Sequence, residues 1–218
     1  MTTLQPTDLR RGGTVAPVRP DPVPPNVTAT VRDVVERVRS RGDRALLELT
    51  RRFDGVELTP DRLFVSTEEI EDVANEIPNG LRAAIDAMIE RLRDLHARQL
   101  PAEWQQERDG LRVGEIVRPV HRAGCYVPGG RAAYPSTAAM TVVPAAVAGV
   151  EEIVVATPPR RDGSVSPAVR YAATAAGAHR ILRVGGAQAV AALAFGTETV
   201  PAVDVIVGPG NVYVTAAK

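Results

Sequence analysis

The chain has 218 residues, of which 44% are hydrophobic and 24% charged, as in a soluble globular protein with one large domain or two small ones. Its 26 basic and 26 acidic residues cancel, so we expect neither nucleic acid nor a membrane surface as a partner. One cysteine, Cys125, and three histidines without metal-ligand spacing exclude an internal disulfide and indicate no metal site in this chain. No signal peptide or membrane-spanning stretch is recognisable, which predicts a cytoplasmic protein.

The first part of the chain predicts an arm followed by helices. Residues 1–25 are rich in proline, arginine and glycine and lack a hydrophobic period, which indicates an arm or a disordered leader. Residues 26–118 then predict a helix-rich module with a hairpin, part of a larger discontinuous domain. Its first helix carries valines at helical spacing and stops at Gly42, and a second short helix closes at the Asp54-Gly55 turn.

The remainder of this module shows three local signals. Ser66 and Glu69 form a capping box before a further helix. A longer helix carries an apolar stripe from Leu81 to Leu95, which we expect to face the core, with His96 packed beside it at a helix–helix contact. Asp109-Gly110 then predicts a tight hairpin turn between two strands.

Residues 119–218 repeat a pattern of buried strand, turn and helix, which predicts an α/β fold with a parallel sheet. We interpret this part as a Rossmann-like, variant nucleotide-binding domain. The chain stops at Lys218, about one turn into a segment that should be the next crossover helix, so the sequence predicts a domain truncated at its C-terminus. The predicted strands cover 123–127, 152–156, 181–184 and 203–207, and the helices 136–148, 167–176 and 187–195.

Three of the four predicted strands end in glycine turns, where backbone amides can approach a ligand. Three side chains near these turns are candidates for ligand contacts: Tyr126, Gln188 and Asn211. The alternative is purely structural, with Gln188 a solvated first-turn residue and Asn211 a helix cap. No G-x-G-x-x-G follows the first strand, and the second ends in Thr157-Pro158 without an acidic residue for a ribose, so any dinucleotide site is a variant one. Buried in a strand, Cys125 is interpreted as a packed structural residue and not as a nucleophile.

Four longer motifs resemble the histidinol dehydrogenase family. They cover residues 126–137, 144–150, 184–197 and 207–218, and weaker matches occur at 41–46, at 50–55 and at His96 with Gln99. The resemblance extends from about residue 30 to the end of the chain. The proline-rich leader departs from the usual start of the family, and residues 160–166 form a slightly extended loop.

The resemblance implies an enzyme of histidine biosynthesis that oxidises L-histidinol through the aldehyde to L-histidine with NAD. Tyr126, Gln188 and Asn211 match positions that contact NAD in the family. It also implies a homodimer and a zinc ion that holds the substrate, with a glutamate–histidine pair for proton transfer. The zinc ligands and catalytic residues lie downstream of residue 218 in the family, so none is expected in this chain and we expect the chain alone to be inactive. Two alternatives stay open: a related zinc-dependent NAD dehydrogenase of another small alcohol, and a non-catalytic NAD-binding fragment.

Overall fold

The computed structural model describes residues 23–129 and 132–218. The predicted arm lies outside these residues except for its last three, as do Gly130 and Arg131 of the first glycine turn. Nowhere in the described ranges is a helix long and apolar enough to cross a membrane. Seven α-helices occur here: α1 Pro25–Asp54, α2 Thr67–Glu71, α3 Asn79–Ala97, α4 Pro135–Val147, α5 Pro167–Ala176, α6 Gly186–Phe195 and α7 Val212–Ala217. The six strands are β1 Trp104–Arg108, β2 Leu111–Glu115, β3 Arg122–Tyr126, β4 Glu152–Ala156, β5 Arg180–Leu182 and β6 Val205–Val207.

The amino-terminal helices begin and end where local signals predict. Gly42 has φ 52° and ψ −136°, which are not helical angles, so α1 consists of two helical segments joined by a kink at that glycine. Gly55 ends α1 in the left-handed region with φ 71°, a conformation that costs glycine little. At α2, Ser66 accepts a hydrogen bond from the Glu69 amide and the Glu69 carboxylate accepts one from the Ser66 amide, which confirms the capping box.

Four strands form one parallel sheet in the order β5-β4-β3-β6. The chain therefore moves from β3 outward through β4 to β5 and then crosses back to pair β6 with the other side of β3. This is the order of the first four strands, 3-2-1-4, of a doubly wound dinucleotide-binding sheet. The point where the order reverses lies between β3 and β6, and in such sheets ligands bind there, beyond the carboxyl ends of the strands.

The sheet is covered on both faces, because alternate residues along each strand point to opposite sides. One core cluster joins Tyr126, Val154 and Leu182 of the strands to α1, α6 and α7, and the other joins Cys125, Val155 and their neighbours to α3, α4 and α5. The result is a three-layer α/β/α arrangement, as the predicted fold class requires. Both clusters draw residues from each side of residue 118, and the division of the chain into domains stays a prediction.

The predicted apolar stripe on α3 is only partly buried. Ile85 is 3% exposed and Ile89 2%, whereas Leu81 is 39% and Leu95 52% exposed. The helix packs on α4 and α5, and the burial is confined to its middle, so the prediction was wrong at both ends. His96 is half-buried, with Nδ1 2.7 Å from Oε1 of Gln99.

The predicted hairpin is present as β1 and β2, paired antiparallel with Arg108 opposite Leu111. Asp109 and Gly110 have φ values of 52° and 79°, the two positive angles that a type I′ turn requires. Every residue of both strands is exposed. The hairpin is therefore set by its turn and its own ladder, and the core does not contribute to it.

Candidate functional site

A crevice of about 920 Å³ opens beyond the carboxyl ends of the central strands, within the size range of small-molecule and cofactor sites. The three candidate side chains, Tyr126, Gln188 and Asn211, all line it. They come from the end of β3, the first turn of α6 and the residue before α7. The sheet thus brings together three positions that are up to 85 residues apart in the sequence.

Tyr126 joins the end of β3 to the start of α6. Its ring is buried, with 4% of the residue exposed, and its hydroxyl oxygen accepts a hydrogen bond of 3.0 Å from the backbone amide of Gly186. Burial raises the pKa of this hydroxyl, and the nearby carboxylate of Asp54 adds to the rise. The hydroxyl proton has no acceptor among the described residues, so Tyr126 can still donate to a ligand.

Gln188 is not the solvated residue of the structural alternative. It is 1% exposed and is one of the largest fully buried side chains, yet its amide has no hydrogen-bond partner in the described part of the chain and faces the crevice. Its polar atoms are not among the solvent-inaccessible ones without a partner in the described residues, so the amide is open to the crevice and can donate to and accept from a ligand. This side chain therefore favours a ligand with its own donor and acceptor groups.

Asn211 serves as a cap and can also contact a ligand. Its Oδ1 accepts hydrogen bonds from the amides of Tyr213 (3.0 Å) and Val214 (3.1 Å), so the structural alternative is correct for this oxygen. The Nδ2 group keeps two donors that the cap does not use. With the oxygen fixed by α7, those donors are held in a defined direction.

Glycines allow the strand ends to meet around the crevice. A Cβ on Gly208 would lie 2.1 Å from the Tyr126 carbonyl oxygen, and its φ is 117°, so only glycine lets the end of β6 approach β3 so closely. Similarly, a Cβ on Gly185 would lie 2.5 Å from Pro158. The turns that sequence reasoning assigned to anion binding thus also set the shape of the crevice.

Sequence reasoning missed a further polar group in the crevice, the carboxylate of Asp54. It ends α1, which packs beside α6, and burial without a compensating partner raises its pKa to about 6. Asp54-Gly55 was interpreted only as a turn. The available signal was the position of an acidic residue inside one of the weaker family matches, at residues 50–55.

Cys125 and the histidines do not contribute to the crevice. The Cys125 side chain is fully buried in β3, where desolvation raises the pKa of its thiol to about 11. This confirms its interpretation as a packed residue, since a thiolate there is strongly disfavoured. Within residues 23–129 and 132–218, no group of three or more histidine, cysteine, aspartate or glutamate side chains is placed to hold a metal ion.

Comparison with known proteins gives consistent matches. The family model for histidinol dehydrogenase matches residues 19–218. A histidinol dehydrogenase of Methanothermobacter thermautotrophicus is 53% identical over 194 residues, covering 88% of this chain and 45% of that protein. One of Prochlorococcus marinus is 53% identical over 191 residues, covering 87% of this chain and 43% of that protein.

The fold comparison agrees with the sequence comparison. The crystal structure of histidinol dehydrogenase from Elizabethkingia anophelis superposes with a TM-score of 0.83 at 33% identity, covering all of this chain and 46% of that one. The chain thus spans a little under half the length of the relatives it matches.

Proposed function

Because the chain belongs to the histidinol dehydrogenase family, a family of oxidoreductases, we propose that its crevice binds NAD for the oxidation of L-histidinol to L-histidine. The observation that carries this proposal is the convergence of Tyr126, Gln188 and Asn211 on one crevice. The crevice lies at the reversal point of a parallel sheet, where dinucleotides bind in related architectures.

The polar groups of the crevice fit a dinucleotide. The buried amide of Gln188 has unused donors and an unused acceptor, and Asn211 has unused donors. The amino end of α6, a helix of 10 residues, favours a negatively charged group such as a pyrophosphate. NAD bound here would accept a hydride from the substrate, while these side chains would hold the cofactor in place.

Zinc does not fit the described residues, since they contain no suitable group of ligands. No described residue of this chain therefore has a role in metal chemistry in this proposal. The zinc ligands and the glutamate–histidine pair that the family resemblance implies are proposed to lie outside residues 1–218, in a protein of the relatives' length. The 218-residue chain by itself is then expected to form no NADH from histidinol.

Gln188→Ala tests the assignment of the crevice in the protein at its natural length. The change removes one or two hydrogen bonds to the cofactor, which should weaken NAD binding by about tenfold to a hundredfold. Isothermal titration measures the NAD affinity, and metal analysis and histidinol titration measure the rest of the site. Zinc content and histidinol affinity should stay close to those of the wild type.

Gln105→Ala is the matched control, because Gln105 is exposed on β1, outside the crevice lining. It should leave NAD affinity unchanged. If Gln188→Ala kept its NAD affinity and lost zinc instead, the crevice would not be the NAD site.

A further inference from the structure

Asp54 occupies an unusual place in the crevice. It is the last residue of α1, and its side chain lines the same space as Tyr126 and Gln188. Its Oδ2 atom is inaccessible to solvent and has no hydrogen-bond partner among the described residues. A carboxylate oxygen in that position requires donors that this part of the chain does not supply.

The surroundings of Asp54 do not stabilise the ionised form of its carboxylate. It lies at the carboxyl end of a helix, where the helix dipole disfavours negative charge, and burial penalises its ionised form. The neighbouring Arg51 forms an ion pair with Glu57 at 2.9 Å instead. Groups that cost stability in this way cluster at functional sites.

The chemistry of the crevice indicates which part of a ligand Asp54 would meet. Arg160, Arg161 and the amino end of α6 favour phosphate groups, whereas a carboxylate repels them. A carboxylate instead accepts hydrogen bonds from neighbouring hydroxyl groups, as the acidic residue after the second strand does for ribose in common dinucleotide folds. Here that strand ends in Thr157-Pro158, so the acceptor has to come from elsewhere.

We propose that the Asp54 carboxylate, supplied by α1 and not by the sheet, accepts hydrogen bonds from the hydroxyls of a ribose of the bound dinucleotide. This inference rests on the proposed function, since it names a further contact in the NAD crevice. The proposal makes α1 a part of the cofactor site, although α1 precedes the sheet in the chain and carries no strand-end motif.

The test uses Asp54→Ala and Asp54→Asn in the protein at its natural length, with Asp61→Asn as the matched control because Asp61 is exposed in the short turn after α1. Affinities for NAD, and for AMP and nicotinamide mononucleotide as its two halves, are measured by isothermal titration. Thermal unfolding without ligand is measured in parallel. Asp54→Ala should weaken NAD binding by about tenfold to a hundredfold, and one of the two halves should show the same loss.

The unfolding data separate a binding role from a structural one. Asp54→Asn without ligand should unfold at the wild-type temperature or above it, because it removes an unpaired buried charge. Unchanged NAD affinity in both variants, with normal binding by the wild type, would overturn the inference and leave the proposed function intact. A lower unfolding temperature with unchanged affinity would likewise show a structural role. A wild-type protein that binds no NAD would instead overturn the proposed function.

Discussion

Two acidic side chains of α1, Asp43 and Asp54, differ in how the protein satisfies their hydrogen-bonding groups. Asp43, directly after the bend at Gly42, is 7% exposed and accepts hydrogen bonds from the hydroxyls of Thr197 and Thr199. Its backbone amide donates to the Glu198 carboxylate at 2.7 Å. In contrast to Asp54, both carboxylate oxygens of Asp43 accept hydrogen bonds from within the chain. These bonds connect the bend of α1 to the loop after α6.

Asp43→Ala should therefore destabilise the protein by about 2–4 kcal/mol, because two half-buried threonine hydroxyls lose a charged acceptor. Urea unfolding measures the change in the free energy of unfolding. Asp33→Ala, which removes a carboxylate that is 66% exposed and 3.7 Å from Arg37, should cost about 0.5 kcal/mol or less. Equal effects of the two changes would show that the Asp43 contacts do not stabilise this loop.

The raised pKa of Asp54 predicts a pH dependence of stability. Burial raises its pKa to about 6 in the folded chain, from about 3.8 for an aspartate in water, so between these values the folded state holds more protons than the unfolded state. Stability from this group therefore falls as pH rises from about 4 to about 6. Without ligand, the unfolding temperature of the wild type should fall relative to that of Asp54→Asn as the pH rises through this window. Above the window, the difference between the two unfolding temperatures should stay constant. A difference that does not change with pH would contradict the raised pKa.

At the scale of elements, two buried arginines connect α2 and the residues that follow it to α5 and to the end of β5. Arg170 of α5 is 4% exposed and donates to the Val165 carbonyl at 3.2 Å, the Glu69 carbonyl, and the Glu76 carboxylate at 2.6 Å. Arg183, which follows β5, pairs with the Glu69 carboxylate. Glu69 thus caps α2 and also contacts an arginine beyond the edge of the sheet.

Arg170→Met should destabilise the protein by about 2–4 kcal/mol, because the Glu76 carboxylate and two carbonyls lose the same donor together. Arg93→Met is the control: Arg93 donates one bond, of 2.8 Å, to the Ala175 carbonyl from an exposed position. Its loss should cost about 1 kcal/mol. Chemical unfolding of both variants measures the difference, and a small effect at Arg170 would mean that the α2 region is not held by these bonds.

Local signals predicted most of the elements, because each depends on a few neighbouring residues. The Asp109-Gly110 turn, the Ser66 capping box and the bend at Gly42 all lie where the sequence places them. The exposure of both ends of α3 could not be predicted. Leu81 and Leu95 continue the hydrophobic period of the helix, but their burial depends on where α4 and α5 lie. The same limit applies to Asp54, whose role depends on the packing of α1 beside α6.

At the scale of the whole molecule, the two edges of the sheet differ. Residues beside β5 cover one edge: the Arg183 amide donates to the Leu63 carbonyl at 2.8 Å, and the Val65 amide to the Ile181 carbonyl at 2.9 Å. At the other edge, no described strand pairs with the outer side of β6, where Val205 and Val207 are 38% and 37% exposed. Open apolar edges are sites of association.

The 218-residue chain should therefore associate with itself through β6, as measured by light scattering after size-exclusion chromatography. Val205→Lys should reduce this association, since a charge on an edge strand disfavours edge-to-edge pairing. Val113→Lys, on the exposed hairpin and 45% exposed, should not. A monodisperse monomer, or association abolished only by the hairpin variant, would contradict this account of the edge. The homodimer implied by the family stays a separate prediction for the protein at its natural length.

The central claim is that the crevice between β3, α6 and α7 holds a dinucleotide. The most direct measurement is a crystal structure of the protein at its natural length with NAD bound. We expect the cofactor in the crevice, with its phosphates near the amino end of α6 and hydrogen bonds to Gln188 and Asn211. NAD bound at another surface, with the Gln188 amide still unpaired, would contradict the account.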